Sequence, residues 1–292
     1  MLDSHTTAVL FPGQGSQTED MRALVAAVRP DLLDAVVELI GEDPFPRVEE
    51  STRFAQPAIL CASLAGWTRL RDHIDPIALA GHSLGEFSAL AAAGALSEHD
   101  ALRLVVIRGD HMARSGEAAG GGTMLALLGA SPAQSEALAA RHKVSIANDN
   151  APGQVVLSGS PEALDGARKD ATTAGLRALP LGVAGAFHSP QMQGAVDPFR
   201  AALTEVAFEP PEVTVISCAT ARPFADPARE LAEALVSPVR WRDTMNTLDA
   251  LGVEAYVDAG PGRVLSKLTP RCIRGASAVT ADTLLEDIGA PV

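Results

Sequence analysis

Five residues, Gly81-His82-Ser83-Leu84-Gly85, form the first pattern with chemistry in it. They fit G-x-S-x-G, in which a serine occupies a turn so sharp that its flanking positions must be small, leaving the hydroxyl exposed where a helix begins. At that helix end, main-chain N–H groups with their partial positive charge face a developing oxyanion. The apolar run 76–80 before the motif and the alanine-rich run 86–96 after it predict the strand and helix that this geometry needs. The bland alternative is a glycine-rich loop whose serine caps a helix.

A serine hydroxyl needs a base, and the chain has seven histidines. His82 adjoins Ser83, but the turn should point the two side chains apart, which makes His82 a packing or capping group. His5, His73, His99, His111 and His142 stand among polar residues and read as surface. His188 lies in Gly185-Ala186-Phe187-His188-Ser189-Pro190, beside an expected domain crossing, where ligands are often held. On its own it stands evenly between a base and a structural residue.

A third group is a cation on an apolar stripe. With Ser97 as cap, a helix running past Arg108 sets Ala101, Leu104, Val105 and Met112 around the guanidinium. A buried guanidinium needs an anion. Two partners are open: an internal carboxylate such as Asp110 or Glu117, or a substrate carboxylate gripped by both arms of the planar fork.

The elements that would position these groups alternate. A strand over 8–11 runs into the glycine-rich turn 12–17, and later strands are predicted over 76–80, 213–217 and 254–257, with a helix over 227–235 capped by Asp226. Strands alternating with helices predict an α/β fold with a covered parallel sheet. Residues 116–123, rich in glycine, read as a flexible connection. Beyond them the order is strand 123–128, helix 132–141, strand 144–147, strand 154–157, helix 161–174 and strand 176–181, the βαββαβ unit of a ferredoxin-like domain. The reading is therefore a large α/β domain made of 1–122 and 188–292, with a small ferredoxin-like domain, 123–187, inserted in it.

Composition excludes several classes. Of 292 residues, 47% are hydrophobic and 20% charged, enough apolar material for a core and too much for a disordered chain. A net charge of −13 argues against nucleic acid as a partner. No run approaches the roughly 18 apolar residues of a membrane span, and the acidic start, 1–5, lacks the basic region of a signal peptide. Cys61, Cys218 and Cys272 are far apart with no paired metal spacing, and read as buried thiols in a reducing cytoplasm.

Taken together, the motifs resemble the malonyl-CoA:acyl-carrier-protein transacylases and the related acyltransferases of polyketide synthesis. The matching segments, in family order, are 11–17, Gln56-Pro57-Ala58, 81–86, Arg108-Gly109, 147–150, 152–154, 187–190, Ser237-Pro238-Val239 and Gly260-Pro261-Gly262. The resemblance implies that the large α/β domain is hydrolase-like, that Ser83 is the acyl nucleophile, His188 its base and Arg108 the ligand of the malonyl carboxylate. It implies an oxyanion hole from the N–H groups of Gln14 and Leu84, and it places Gln56, Asn148 and Asn150 near the substrate. It also implies that His188 leans on a backbone carbonyl near Pro238-Val239-Arg240-Trp241. Phe187 and Leu84 resemble malonyl-selective members, a bulky ring beside the base leaving less room for an α-branch. The partners implied are malonyl-CoA and a holo acyl carrier protein, with no metal or redox cofactor; the protein itself is read as a cytoplasmic monomer. Arg263, Lys267, Arg271 and Arg274 are candidates for docking the carrier, or simply a solvated face that Pro270 interrupts. The rivals are an acyl hydrolase using the same pair and a silent docking subunit of a larger complex.

Overall fold

The structure is a computed structural model that describes residues 6–290; His5 and the start 1–5 fall outside it. In chain order the first elements are β1 (Thr7–Phe11), α1 (Met21–Val28), α2 (Pro30–Ile40), α3 (Thr52–Leu70), β2 (Ala78–Gly81), α4 (Gly85–Ala92) and α5 (Glu98–Ala118). Then come β3 (Thr123–Leu128), α6 (Pro132–His142), β4 (Ser145–Ala151), β5 (Gln154–Gly159), α7 (Pro161–Thr173) and β6 (Arg177–Leu181). The chain closes with α8 (Gln193–Leu203), β7 (Thr214–Ile216), α9 (Pro227–Glu233), α10 (Trp241–Ala250), β8 (Ala255–Asp258), α11 (Val264–Cys272), β9 (Ser277–Thr280) and α12 (Ala281–Asp287).

Two sheets result. One is wholly parallel, in the order β7-β2-β1-β8-β9, and its inner strands are buried end to end, as helices on both faces require. The other is antiparallel, in the order β4-β5-β3-β6, and is backed by α6 and α7. This is the α/β fold with a ferredoxin-like unit that the alternation predicts. The small sheet is tied to the rest of the chain through main-chain bonds from its edge strand β4 to the segment before α10: Asp149 N–H donates to the Val239 carbonyl and Val239 N–H to that of Ala147, each at 2.8 Å.

The core of the large unit is built around α3, which is buried on nearly every side and packs against α1 and α5. Such a helix has no polar face and so no helical period to read. Truncating Leu60 or Leu64 to alanine there would cost about 2–5 kcal/mol. At Gly109, α5 passes close over the first turn of α3: an added Cβ would lie 3.1 Å from both Arg53 Cα and the Thr52 carbonyl oxygen.

Two expectations are corrected and one is narrowed. The glycine-rich connection is shorter than 116–123: α5 runs on to Ala118 and a Cβ on Gly122 would lie 2.6 Å from Ala186 N, while Gly120 and Gly121 between them are open, with left-handed φ of 81° and 84°. The helix after Ser83 ends at Ala92, because Gly94 takes a left-handed conformation (φ 70°). Pro270 does not interrupt α11; it sits in the last turn, where only the Ser266 carbonyl loses a helical partner, and the helix continues to Cys272.

Candidate active site

The parallel strand β2 delivers Ser83 into a turn at φ 52°, a left-handed conformation that costs a non-glycine residue about 1–3 kcal/mol. The close approaches around it explain the flanking glycines. A Cβ on Gly81 would lie 1.9 Å from the Gly85 carbonyl carbon, and one on Gly85 2.0 Å from the Phe11 oxygen. The turn is further held from below. Cys218 Sγ accepts from the Ser83 N–H at 3.3 Å, and the Cys218 N–H donates to Glu86 Oε1 at 2.8 Å. Burial pushes the Glu86 carboxyl up to about 7 and the Cys218 thiol well above its ordinary value.

His188 meets Ser83 from the far end of the small unit. Its Nε2 lies 2.8 Å from Ser83 Oγ, and its Nδ1 lies 2.9 and 3.0 Å from the carbonyl oxygens of Ala234 and Ser237. Carbonyls only accept, so Nδ1 carries the proton and the bare Nε2 accepts from the serine hydroxyl. His188 also has positive φ (54°), and its turn is pinned by Ser189 Oγ donating to the Ala186 carbonyl at 2.6 Å. Burial, and then the neighbouring Arg108 charge, hold the imidazole down to about 4, so it is neutral at pH 7.

Arg108 is the third member. It is 3% exposed on a stripe with Ala101, Leu104, Val105 and Met112, all buried. Its Nη2 donates to Ser83 Oγ at 3.0 Å and its Nη1 to Gln56 Oε1 at 2.5 Å. Neither internal candidate partners it: Asp110 pairs with Arg114 at 2.9 Å, and Glu117 is exposed. Among the described residues Arg108 makes no ion pair. Burial lowers it to about 10, with the Glu86 charge opposing, so it remains a cation.

One cavity of about 160 Å³ collects Ser83, His188, Arg108, Gln14, Leu84, Gln56, Asn148, Asn150 and Phe187. All nine residues singled out in the sequence therefore line the same space. Among the described residues neither the Gln14 nor the Leu84 main-chain N–H has an acceptor. Asn148 and Asn150 come in on β4, and His82 ties that strand to the turn: its Nε2 lies 2.9 Å from Asn150 Oδ1, and its ring packs on Trp241 at 5.4 Å. His82 is thus the packing group expected. Arg240 bonds Asp243 and the Thr220 carbonyl, away from His188. His73 and His99 are exposed, His111 is half-buried, and His142 bonds Asp170 at 2.9 Å.

Sequence reading assigned no role to Glu86 or Cys218; the one available signal was an acid in the first turn of an apolar helix. It missed Thr52 as well, whose hydroxyl bridges Gln56 and Gln14. Val264, Leu265 and Leu268 of α11 line the cavity; Arg263, Lys267, Arg271 and Arg274, on or next to that helix, are exposed, and of these Arg271 reaches a lining residue by donating to Gln154 Oε1.

The sequence matches the acyl transferase domain family over residues 9–288. It is 36% identical to the malonyl CoA-acyl carrier protein transacylase of Escherichia coli K12, with 96% of each chain covered. It is 34% identical to the polyketide biosynthesis malonyl CoA-acyl carrier protein transacylase PksC of Bacillus subtilis, over 92% of this chain and 98% of that one. The polyketide biosynthesis protein ThaF of Burkholderia thailandensis is 38% identical over 94% of this chain, which spans only 25% of that protein's length. In structure, the malonyl-CoA:acyl carrier protein transacylase of Xanthomonas oryzae superposes with a TM-score of 0.90 at 33% identity, over 99% of this chain and 98% of that one. A malonyl-transacylase solved in complex with a type II polyketide acyl-carrier protein superposes at 0.86 with 32% identity, over 96% of this chain and 99% of that one. The chain belongs to the acyl transferase domain family.

Proposed function

We propose that the chain is a malonyl-CoA:acyl-carrier-protein transacylase, moving a malonyl group onto the phosphopantetheine thiol of a holo carrier protein for fatty acid or polyketide synthesis. The observation that carries this is a buried guanidinium with no ion-pair partner among the described residues, 3.0 Å from a serine hydroxyl that is itself 2.8 Å from a bare imidazole nitrogen. A generic hydrolase has no use for a carboxylate seat beside its nucleophile.

The malonyl carboxylate takes the fork of Arg108, bringing the thioester carbonyl over Ser83. His188 Nε2 removes the hydroxyl proton as Oγ bonds to the carbonyl carbon. The Gln14 and Leu84 N–H groups receive the oxyanion; losing one such donor typically costs about 3–4 kcal/mol of barrier. The intermediate collapses by breaking the carbon–sulfur bond, and the imidazolium returns its proton to the CoA sulfur. In the second half the carrier's thiol gives its proton to His188, its sulfur attacks the malonyl ester, the carbon–Oγ bond breaks, and Ser83 recovers its proton. Each charge is met by a side chain or main-chain donor, so the transfer as written calls for no metal or redox cofactor.

Phe187 and Leu84, narrowing the cavity, favour malonyl over α-branched groups by about 1–3 kcal/mol. The cleft then lies between the units 1–122 with 188–292 and 123–187, and the exposed cations Arg263, Lys267, Arg271 and Arg274, on or next to α11, receive the carrier. No helix among the described residues is long and apolar enough to cross a membrane. Intact-mass spectrometry after mixing with malonyl-CoA, followed by a holo carrier, tests the reading. A malonyl adduct that moves to the carrier supports transfer; one lost equally fast without carrier indicates a hydrolase, and no adduct indicates a silent docking subunit.

A further inference from the structure

Behind Arg108 runs a line of hydrogen bonds that ends on the loop after β1. An arginine has donors only, so Gln56 must turn its Oε1 toward Arg108 and its Nε2 toward Thr52, donating to Oγ1 at 2.8 Å. Having accepted there, Thr52 gives its own proton to Gln14 Oε1 at 2.8 Å. The guanidinium therefore sets one direction of donation along the whole line. Arg108, Gln56 and Thr52 are all buried, so a member left without its partner bears the full cost of desolvation.

The helix geometry fixes this arrangement. Thr52 opens α3 under its cap Ser51, and Gln56 follows one turn later on the same face. The close pass at Gly109 brings α5, and with it Arg108, onto that face.

We propose that Thr52 is a positioning residue that couples the two halves of the site, its hydroxyl holding the Gln14 loop, and so the Gln14 N–H, in register with the guanidinium of Arg108. This rests on the acyl-transfer reading above and deepens it: the group that seats the carboxylate and the donor that meets the oxyanion are aligned by one shared hydroxyl. Removing that hydroxyl should act on both halves at once. The donor side lowers kcat whatever the acyl group; the guanidinium side raises KM only for a substrate that carries a carboxylate.

Thr52→Val keeps the shape and removes the hydroxyl. Its expected result is about a tenfold fall in kcat for malonyl and acetyl loading alike, with a rise in KM confined to malonyl-CoA. Thr52→Ser restores both to within about twofold. Wild-type kinetics in Thr52→Val, or equal impairment of the serine variant, would overturn the proposal. Should the valine variant fail to fold, Gln14→Leu removes the acceptor while keeping the N–H. It should lower kcat for both acyl groups without raising KM, and an unchanged kcat would sink the link to the loop. Failure of the transfer reading looks different, because the wild-type protein would then form no malonyl ester at Ser83, or form one that is lost as fast without carrier as with it.

Discussion

Every residue of β1, β2 and β8 is buried, whereas β6, at the edge of the small sheet, is exposed at three of its five positions, with Leu179 44% exposed. The two sheets divide the work accordingly. The turn bearing Ser83 grows out of the buried parallel sheet, where close packing transmits any displacement. The small sheet contributes amides, Asn148 and Asn150, from a strand held to the large unit by main-chain bonds. Chemistry that tolerates little misplacement sits on the sheet that deforms least; the wall of the cavity is lent by the other.

Substitutions should reproduce that division. Ser83→Ala or His188→Ala should lower transfer by a factor on the order of 10⁴ or more, with no ester detectable by mass for the serine variant. Arg108→Ala should cut malonyl loading by about a hundredfold while affecting acetyl loading far less; equal losses in a radiolabel transfer assay would remove its carboxylate role. On the small sheet, Asn150→Ala should cost about tenfold, read chiefly in KM. A Leu179→Ser change should leave activity intact and shift stability by no more than about 0.5 kcal/mol in urea unfolding. A loss of transfer at Asn150 as large as that at Ser83 would overturn the contrast.

The pH profile sharpens it. In the proposed mechanism His188 works as the neutral base, and burial together with Arg108 holds it down to about 4. Activity should therefore persist as pH falls below 6 and drop only as the imidazole gains its proton near that value, well below an unperturbed histidine. Replacing Arg108 with Gln removes the larger of the two neighbouring charges that add to burial, so the acidic limb of kcat/KM should move to higher pH. A limb that stays in place would show that the Arg108 charge does not reach the base.

Much of this was legible in the chain. Gly81 and Gly85 flag the turn because no other residue fits there, and Arg108 stands out because a cation on an apolar stripe demands an explanation. The βαββαβ order of the small unit could be read because its strands and helices are short and separated by turn residues. Other parts were not legible, for physical reasons. Helix α3 is apolar on all sides and so has no period. The Cys218 contact with Ser83 spans 135 positions in sequence and involves a thiol, a poor acceptor that nothing local announces. Thr52 could not be separated from an ordinary helix start until Gln14, 38 residues earlier, was seen to touch it.

The pair of carbonyls behind His188 has a consequence for which reactions suit this site. A carboxylate in their place would trap the proton in a stable ion pair; two neutral dipoles hold the imidazolium only loosely and let it go at once. That is enough for a departing thiolate, whose parent acid has a pKa near 8.5 and which leaves with little help from a proton donor. The outcome is a freely reversible relay between two thioesters of matched energy, with supply and demand, rather than the protein, deciding the direction of flow.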